Sequence, residues 1–265
     1  MTEDMHAAGT FCWIELGTND IDAALDFYRQ IYGWTKREVP MPGNAGGTYT
    51  MLLVDDREIG GVHVLGPHEK AAGVPPHFGT YVAVDDVDAG AADIQAAGGK
   101  VLAEPFDIPN IGRMAVAQDP TGATFSIWLN SSAHRGAAKL ERNTVGTNCW
   151  NELITDNIDR AGSFYSKVFG WQPKFSEMNG FQYTQLMIED LPVAGMMAKS
   201  PEMGPMPSTW VSYFVVDSAD DKVALAEKIG GRVYVPAMDI DGVGRFAWIA
   251  DPQGAVSGLL QPADR

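Results

Sequence analysis

The sequence predicts an α+β protein made of two tandem copies of one unit, in which each copy holds two modules with the order strand, helix, strand, strand, strand. The strand motif CWxEL begins at residues 12 and 149, the helix end FYxxxxGW at 27 and 164, and the turn DPxG at 119 and 251. Such internal repeats define the architecture before any other feature, because each copy is one structural unit. The 265 residues therefore divide into two repeats of about 130 residues each.

The first module is predicted from residues 10–65. Residues 10–16 form a strand, and residues 21–32 carry apolar side chains at helical spacing. Asn19 or Asp20 is a suitable N-cap for that helix, and Gly33 ends it. Three further extended runs near 34–39, 48–54 and 60–65 complete the βαβββ order, and Asp55-Asp56 marks the last hairpin.

The second module repeats this order. A strand is predicted at 77–84, a helix over 87–97, and strands near 100–102, 113–118 and 123–129. In the turn at 119–122 proline fixes φ and glycine accepts a positive φ. Because the second half repeats both modules, we expect one domain over 10–130 and another over 145–262. Residues 131–144, which are mostly small and polar, form an exposed linker between them.

Composition excludes several functional classes. With 19 basic and 34 acidic residues the net charge is −15 and the isoelectric point is about 4.6. This argues against nucleic acid or an anionic membrane as partner, because phosphate contacts need Lys or Arg. The chain has no long apolar stretch and no signal peptide at its start, and its two cysteines form no disulfide framework. We therefore expect a soluble, cytoplasmic protein, and the oligomeric state is left open.

The two FYxxxxGW helix ends and the two DPxG turns, at matching offsets over nearly the whole chain, resemble the vicinal oxygen chelate superfamily. That superfamily includes glyoxalase I, bleomycin-resistance proteins and extradiol dioxygenases. The tandem form, with a WxEL strand opening each half, is similar to a bacterial subgroup described as glyoxalase-like or hydroxylase-like. The resemblance implies that the two modules of each half pair into a curled, cup-shaped, eight-stranded sheet with its helices on the convex side.

Strand alternation then assigns side chains to the two cups. On the first strand Phe11, Trp13 and Glu15 are expected to line the cup, whereas Cys12 lies under the helix as an inert core residue, like Cys149 in the second half. Each cup is expected to hold one Trp, Glu, Tyr and Arg: Trp13, Glu15, Tyr81 and Arg113 in the first, and Trp150, Glu152, Tyr213 and Arg245 in the second.

These residue types predict a site for a planar ligand with a cationic or hydroxylated edge, bound by stacking and charge-assisted hydrogen bonds. Glu15 and Glu152 are the candidate catalytic bases, because a buried carboxyl with a raised pKa can accept a proton. The Trp, Tyr and Arg side chains are the candidate ligand-binding groups. The alternative is structural: the tryptophans fill closed cores, and each Glu forms an ion pair with the Arg of its half.

The resemblance also implies where a metal would bind, through a His, Gln or Glu on the first strand of each module and a Glu on the last. Those positions hold Trp13, Gly79, Trp150 and Val211 on the first strands, and Ser126 and Gly258 on the last. None of these is a firm ligand of a divalent ion, so we predict no metal and no other cofactor. The alternative is a displaced metal site of Glu15, His63 and His77 in the first cup.

The predicted function is to bind, sequester or modify a small aromatic or reactive metabolite without the standard metal centre. Whether the chain is an enzyme is left open. A binding module like the bleomycin-resistance proteins is one hypothesis, and a lyase, isomerase or hydroxylase-like enzyme is another. A third is an accessory protein that presents substrate to a partner enzyme. Because only the first half holds the predicted histidine cluster, the first cup is favoured for chemistry.

Overall fold

The computed structural model describes residues 6–41, 43, 46–131, 137–138, 143–178, 181–200, 203 and 206–263. Residues 132–136 and 139–142 of the expected linker lie outside this part of the chain, and the domain boundaries at 130 and 145 stay a prediction. The described residues form sixteen strands and five helices. This confirms the α+β class and the repeated βαβββ order.

The elements of the first half are β1 (Phe11–Thr18), α1 (Ile21–Tyr32), β2 (Thr35–Pro40), β3 (Thr48–Val54), β4 (Arg57–Val64), α2 (Pro67–Ala71), β5 (His77–Ala83), α3 (Val87–Ala96), β6 (Lys100–Ile108), β7 (Gly112–Gln118) and β8 (Thr124–Asn130). Those of the second half are β9 (Asn148–Thr155), α4 (Ile158–Phe169), β10 (Gln172–Met178), β11 (Phe181–Ile188), β12 (Leu191–Ala198), β13 (Thr209–Val215), α5 (Ala219–Lys228), β14 (Arg232–Ile240), β15 (Gly244–Ala250) and β16 (Val256–Pro262). The short helix α2 was not predicted, because five residues carry too little periodicity.

Each half forms one eight-stranded sheet, with the orders β2-β3-β4-β1-β5-β8-β7-β6 and β10-β11-β12-β9-β13-β16-β15-β14. The first strand of each module is therefore central. Strand β1 pairs with β4 in parallel and with β5 antiparallel, and β9 pairs in the same way with β12 and β13. Modules one and two thus share the first sheet and modules three and four the second.

The helix of the first module begins and ends where its sequence predicts. Asp20 is the N-cap of α1 and accepts a hydrogen bond from the backbone N–H of Ala23 at 3.0 Å. Gly33 ends the helix with φ of 74°, a left-handed conformation that glycine adopts without steric cost. Asn157 and Gly170 have the same roles at the two ends of α4.

The convex faces of the two sheets, with their helices, pack against each other. Tyr32 and Trp34, at the end of α1, lie against Phe214 of the second half with ring centroids 4.9 and 5.0 Å apart. In the reciprocal contact Phe125 of the first half lies 5.7 Å from Tyr165 on α4. Burial of these aromatic surfaces is the main driving force for the contact between the halves.

Hydrogen bonds from the repeated motifs also join the halves. The indole N–H of Trp34 donates to the carbonyl of Gly146 at 2.7 Å, and that of Trp171 donates to Gly9 at 2.8 Å. Tyr165 donates to the carboxylate of Asp119, in the DPxG turn of the first half, at 2.9 Å. The residues that predicted the fold therefore hold one half against the other.

The face assignment at the start of β1 was wrong. A register shift between Phe11 and Trp13 in the pairing of β1 with β5 places an extra residue in β1. Such a bulge reverses the alternation on its N-terminal side. Phe11 consequently packs between the halves, 5.4 Å from the ring of Trp210, whereas Cys12 packs with Tyr81 among the cup residues.

The equivalent register shift at the start of β9 moves Cys149 into the wall of the second cup. Burial raises the pKa of the Cys149 thiol to about 12, so the group stays a neutral thiol, as expected. Among the helices of the described residues, none has the length and apolarity needed to cross a membrane.

Candidate functional site

The two predicted carboxyl groups occupy equivalent central positions in the two cups. Glu15 on β1 lies opposite Gly61 of β4 and Gly79 of β5. Glu152 on β9 lies opposite Gly195 of β12, and it is only 6% exposed. At least one strand beside each Glu presents a glycine, which leaves space for a larger side chain to reach the carboxyl from further away.

In the second cup a continuous hydrogen-bond network surrounds Glu152. Tyr213 donates to the Glu152 carboxyl at 2.7 Å, and the phenol of Tyr183 is its second hydrogen-bond partner. The two phenols are themselves held by indoles, because Trp150 donates to the Tyr183 hydroxyl at 2.9 Å and Trp248 donates to that of Tyr213 at 2.6 Å. Burial raises the pKa of Glu152, and the two phenol hydrogen bonds offset this only in part.

In the first cup two phenols hold Glu15 in a similar way. Tyr49 donates to one oxygen of the Glu15 carboxylate at 2.9 Å, and Tyr81 donates to the other. Trp13 hydrogen-bonds the Tyr49 hydroxyl, as Trp150 does that of Tyr183. The structure thus brings Trp13, Glu15 and Tyr81 together, and likewise Trp150, Glu152 and Tyr213, as predicted from the alternation.

Sequence reasoning missed Tyr49 and Tyr183. Each phenol lies over a glycine, Gly61 in the first half and Gly195 in the second, where an added Cβ atom would overlap the hydroxyl. The signal was in the repeat, because both tyrosines precede a threonine and are separated by 183 − 49 = 134 residues, as are the two glycines.

A histidine distinguishes the first cup from the second. His63 lies between two carboxylates, with Nδ1 3.4 Å from Glu15 and Nε2 3.2 Å from Glu69. Nδ1 makes no hydrogen bond within the described structure, so its contact with Glu15 is an ion pair only. The register places Met197 at the equivalent position of the second cup, and Ile154 where the first has Gly17.

The pKa values of His63 and Glu15 shift in opposite directions. Burial alone would lower the pKa of His63, but its ion pair with Glu15 and its contact with Glu69 raise it to about 9. Burial alone would raise the pKa of Glu15, but the His63 interactions and the two phenols lower it below its ordinary value. The first cup therefore contains a carboxylate with its own cation, whereas the second contains a buried carboxyl with phenol partners.

We expect His63→Met to destabilise the protein in a pH-dependent way. The folded-state pKa of His63 is above its ordinary 6.5, so its stabilisation is complete below pH 6.5 and is lost as the pH rises through about 9. That of Glu15 is below its ordinary 4.5, so its stabilisation is lost in acid. The loss in unfolding free energy, measured by denaturant titration, should be on the order of 1–2 kcal/mol near pH 6 and smaller above pH 9. His68→Met, at an exposed histidine of α2, is the control, and a loss that does not change with pH would contradict the expectation.

The two arginines lie apart from the carboxyl groups. Arg113 donates two hydrogen bonds of 2.8 Å to Asp88 of α3 and one of 2.8 Å to Asp107. Arg245 contacts Asp220 of α5 and Asp239 in the same manner. These partially exposed ion pairs tie a helix to the outer strands of its sheet, so the structure does not pair either arginine with Glu15 or Glu152.

A cavity of about 1370 Å³ is lined mostly by residues of the second cup, and Phe11, Cys12, Trp13, Ile14 and Ile59 of the first half also line it. The sequence had favoured the first cup instead. The wall beside Glu152 is mainly aromatic and apolar, and it includes Trp150, Tyr183, Met197, Tyr213, Phe246 and Trp248. The cavity is larger than the 300–1,000 Å³ or so of ordinary small-molecule sites. The cavity can therefore take a large ligand against an aromatic wall, with the carboxyl group of Glu152 in reach.

Comparison with known proteins agrees with the fold and the duplication. A family model described as the Glyoxalase/Bleomycin resistance protein/Dioxygenase superfamily matches residues 10–127 and 148–256. The chain belongs to this superfamily. Both matches fall on the two sheets, so each half is a glyoxalase-superfamily unit, and the resemblance found in the sequence is confirmed.

Relatives within the glyoxalase superfamily span the whole length of the chain. "Putative glyoxylase CFP32" of Mycobacterium bovis is 40% identical over 256 residues, which cover 96% of this chain and 95% of that protein. Anthracycline biosynthesis protein DnrV of Streptomyces peucetius is 34% identical over 265 residues, with coverages of 96% and 94%. The crystal structure of a Mn(II)-bound glyoxalase from Novosphingobium aromaticivorans superposes with a TM-score of 0.61 at 18% identity, covering 97% of this chain and 84% of that one.

The metal positions that the superfamily implies do not fit a metal in this member. Trp13 uses its indole as a donor to Tyr49, Gly79 has no side chain, and Ser126 is a hydrogen-bond partner of Tyr81. Over the described ranges there is no group of three or more His, Cys, Asp or Glu side chains placed to hold a metal ion. Glu15, His63 and His77 therefore do not form the displaced metal site that the sequence offered as an alternative. His63 in particular is a cation between two carboxylates rather than a neutral ligand.

Proposed function

We propose that this glyoxalase-superfamily protein binds a planar, polycyclic aromatic small molecule in its second cup, without the metal centre of the superfamily. The cavity beside Glu152 is the observation that carries the proposal. Trp150 and Tyr183, which are partly exposed, offer ring surfaces for stacking, and the cavity accommodates several fused rings. The relative named as an anthracycline biosynthesis protein supports the same class of ligand, because anthracyclines are planar polycyclic compounds.

Proton transfer by Glu152 is the second candidate function, and would make the protein a lyase or isomerase. The observation that favours it is the raised pKa of a carboxyl group that lines the cavity. A carboxyl group with a raised pKa is a stronger base than an ordinary one, and it can accept a proton when a bound ligand brings an acidic C–H within reach. Deuterium uptake from D₂O at the methyl group of 1-acetylpyrene, dependent on Glu152, distinguishes this activity from binding alone.

The proposal also includes the partner and the location of the protein. A small molecule is the proposed partner, with no role for nucleic acid, because a net charge of −15 opposes phosphate binding. A cytoplasmic location is proposed because Cys12 and Cys149 are free thiols, as is usual in a reducing compartment.

We expect Trp150→Ala to weaken the binding of 1-pyrenemethanol, a neutral four-ring probe, by about 1–3 kcal/mol. The mutation removes a stacking surface and also releases the Tyr183 hydroxyl, which Trp150 holds. Pyrene fluorescence titration gives the affinity, and dialysis against EDTA should leave it unchanged.

Trp128→Ala is the matched control, because this tryptophan lies in the first cup and does not line the cavity. Its affinity for the probe should stay within about twofold of the original, provided that circular dichroism shows a folded protein. Equal losses in the two variants, or none in Trp150→Ala, would place the probe elsewhere and remove the basis of the proposal.

A further inference from the structure

The two cups differ in how they compensate the desolvation cost of a buried carboxyl group. An ionised carboxylate in an apolar site is costly unless a cation or several donors accompany it. In the first cup the cation is His63, 3.4 Å from Glu15. In the second cup the equivalent position holds Met197, and Ile154 fills the space that Gly17 leaves open beside the imidazole.

We propose that the ligand of the second cup carries a cationic nitrogen, such as an amine, which pairs with Glu152 from the cavity and supplies the positive charge that His63 supplies to Glu15 in the first cup. The inference rests on the proposed function of the second cup as an aromatic binding site. It specifies the charge of the ligand and assigns the recognition of that charge to Glu152.

The described walls of the cavity contain no cationic partner for Glu152. Lys199 lines the cavity, but its ammonium group lies 3.6 Å from Asp156 and donates to the carbonyl of Met206 at 3.1 Å. His6 also lines the cavity and hydrogen-bonds the carbonyl of Ala137 at 3.1 Å. Among the described residues no Lys, Arg or His forms a salt bridge with Glu152, although the group is buried.

The surroundings of Glu152 suit a cation with an aromatic body. Two phenols fix the carboxyl group, so that it does not have to reorient when a ligand arrives. Trp150 and Trp248 line the same wall, and aromatic rings attract cations. A ligand ammonium would therefore meet a prepositioned acceptor and aromatic side chains.

Two pyrenes that differ in one group test the proposal: 1-aminomethylpyrene, which is an ammonium at pH 7.5, and the neutral 1-pyrenemethanol. The full-length protein should bind the ammonium on the order of tenfold more tightly or better. Glu152→Gln keeps the shape of the side chain and should remove most of this preference, while the alcohol binds within about threefold of its original affinity. Glu177→Gln removes the same charge from an exposed site outside the cavity and should keep the preference.

The comparison of the two probes in the unmodified protein decides the matter even if a variant fails to fold. Equal affinities would overturn the inference and leave the aromatic site in place. Equal weakening of both probes by Glu152→Gln would also overturn it, because the carboxyl would then act through structure rather than charge. Binding of neither probe would overturn the proposed function together with the inference.

Discussion

Replacement of Trp171 by alanine is expected to lower the free energy of unfolding by about 3–5 kcal/mol, the range for a large aromatic side chain lost from a core. Trp171 is fully buried, and its ring packs against Tyr165 and Phe11, from opposite halves of the chain. The mutation also leaves the carbonyl of Gly9 without its donor. Denaturant titration followed by circular dichroism measures the loss.

Phe175→Ala is the control for that experiment, because Phe175 is an aromatic residue of the next strand with 67% of its surface exposed. It should change the unfolding free energy by no more than about 0.5 kcal/mol. If Trp171→Ala cost as little as the control, the packing of the two halves would not contribute to stability in the way described.

Gly195→Ala should have the second largest effect, a destabilisation of about 2–4 kcal/mol together with weaker binding in the second cup. The new methyl group would overlap the hydroxyl of Tyr183, which must then leave Glu152 and Trp150. A buried carboxyl that loses a hydrogen-bond donor bears a desolvation cost that is no longer compensated. Thermal melts and titration with 1-pyrenemethanol measure the two effects.

Gly79→Ala is the matched control, since Gly79 lies opposite Glu15 on a central strand, as Gly195 lies opposite Glu152. A methyl group there meets the nearest atom at 3.7 Å, an ordinary contact. We expect a neutral or slightly stabilising change, because alanine restricts the unfolded chain. Similar destabilisation by both substitutions would show that any side chain at these strand positions is unfavourable, and that the phenol is not the cause.

The sequence predicted the fold well because its strongest signals are local. The helix α1 was predicted to its last residue from the apolar period, Asp20 and Gly33, each of which acts within a few residues. The bulge before Trp13 was not predictable in this way, because it depends on how β1 pairs with β5. The faces of Phe11 and Cys12 were therefore assigned to the wrong sides.

The site was predicted only in part, for the same reason. Alternation along one strand identified Trp13 with Glu15, and Trp150 with Glu152, since those residues are neighbours in sequence. The phenols of Tyr49 and Tyr183 come from strands two places away in the sheet and reach the carboxyl groups over a glycine. The arginines pair with Asp88 and Asp220, which lie on helices 25 residues away in sequence. A contact of this kind leaves no periodic pattern in the sequence.

The position of the recognition motifs has a consequence for how this protein diverges from its relatives. Trp34, Trp171, Tyr165 and Asp119 all lie between the two sheets, on the side away from the cups. A relative that retains them retains the scaffold, whatever its cups contain. The residues of the cups can therefore change while the scaffold stays the same, as the exchange of His63 for Met197 between the two halves illustrates. A relationship inferred from these motifs consequently gives information about how the halves assemble and not about the substrate.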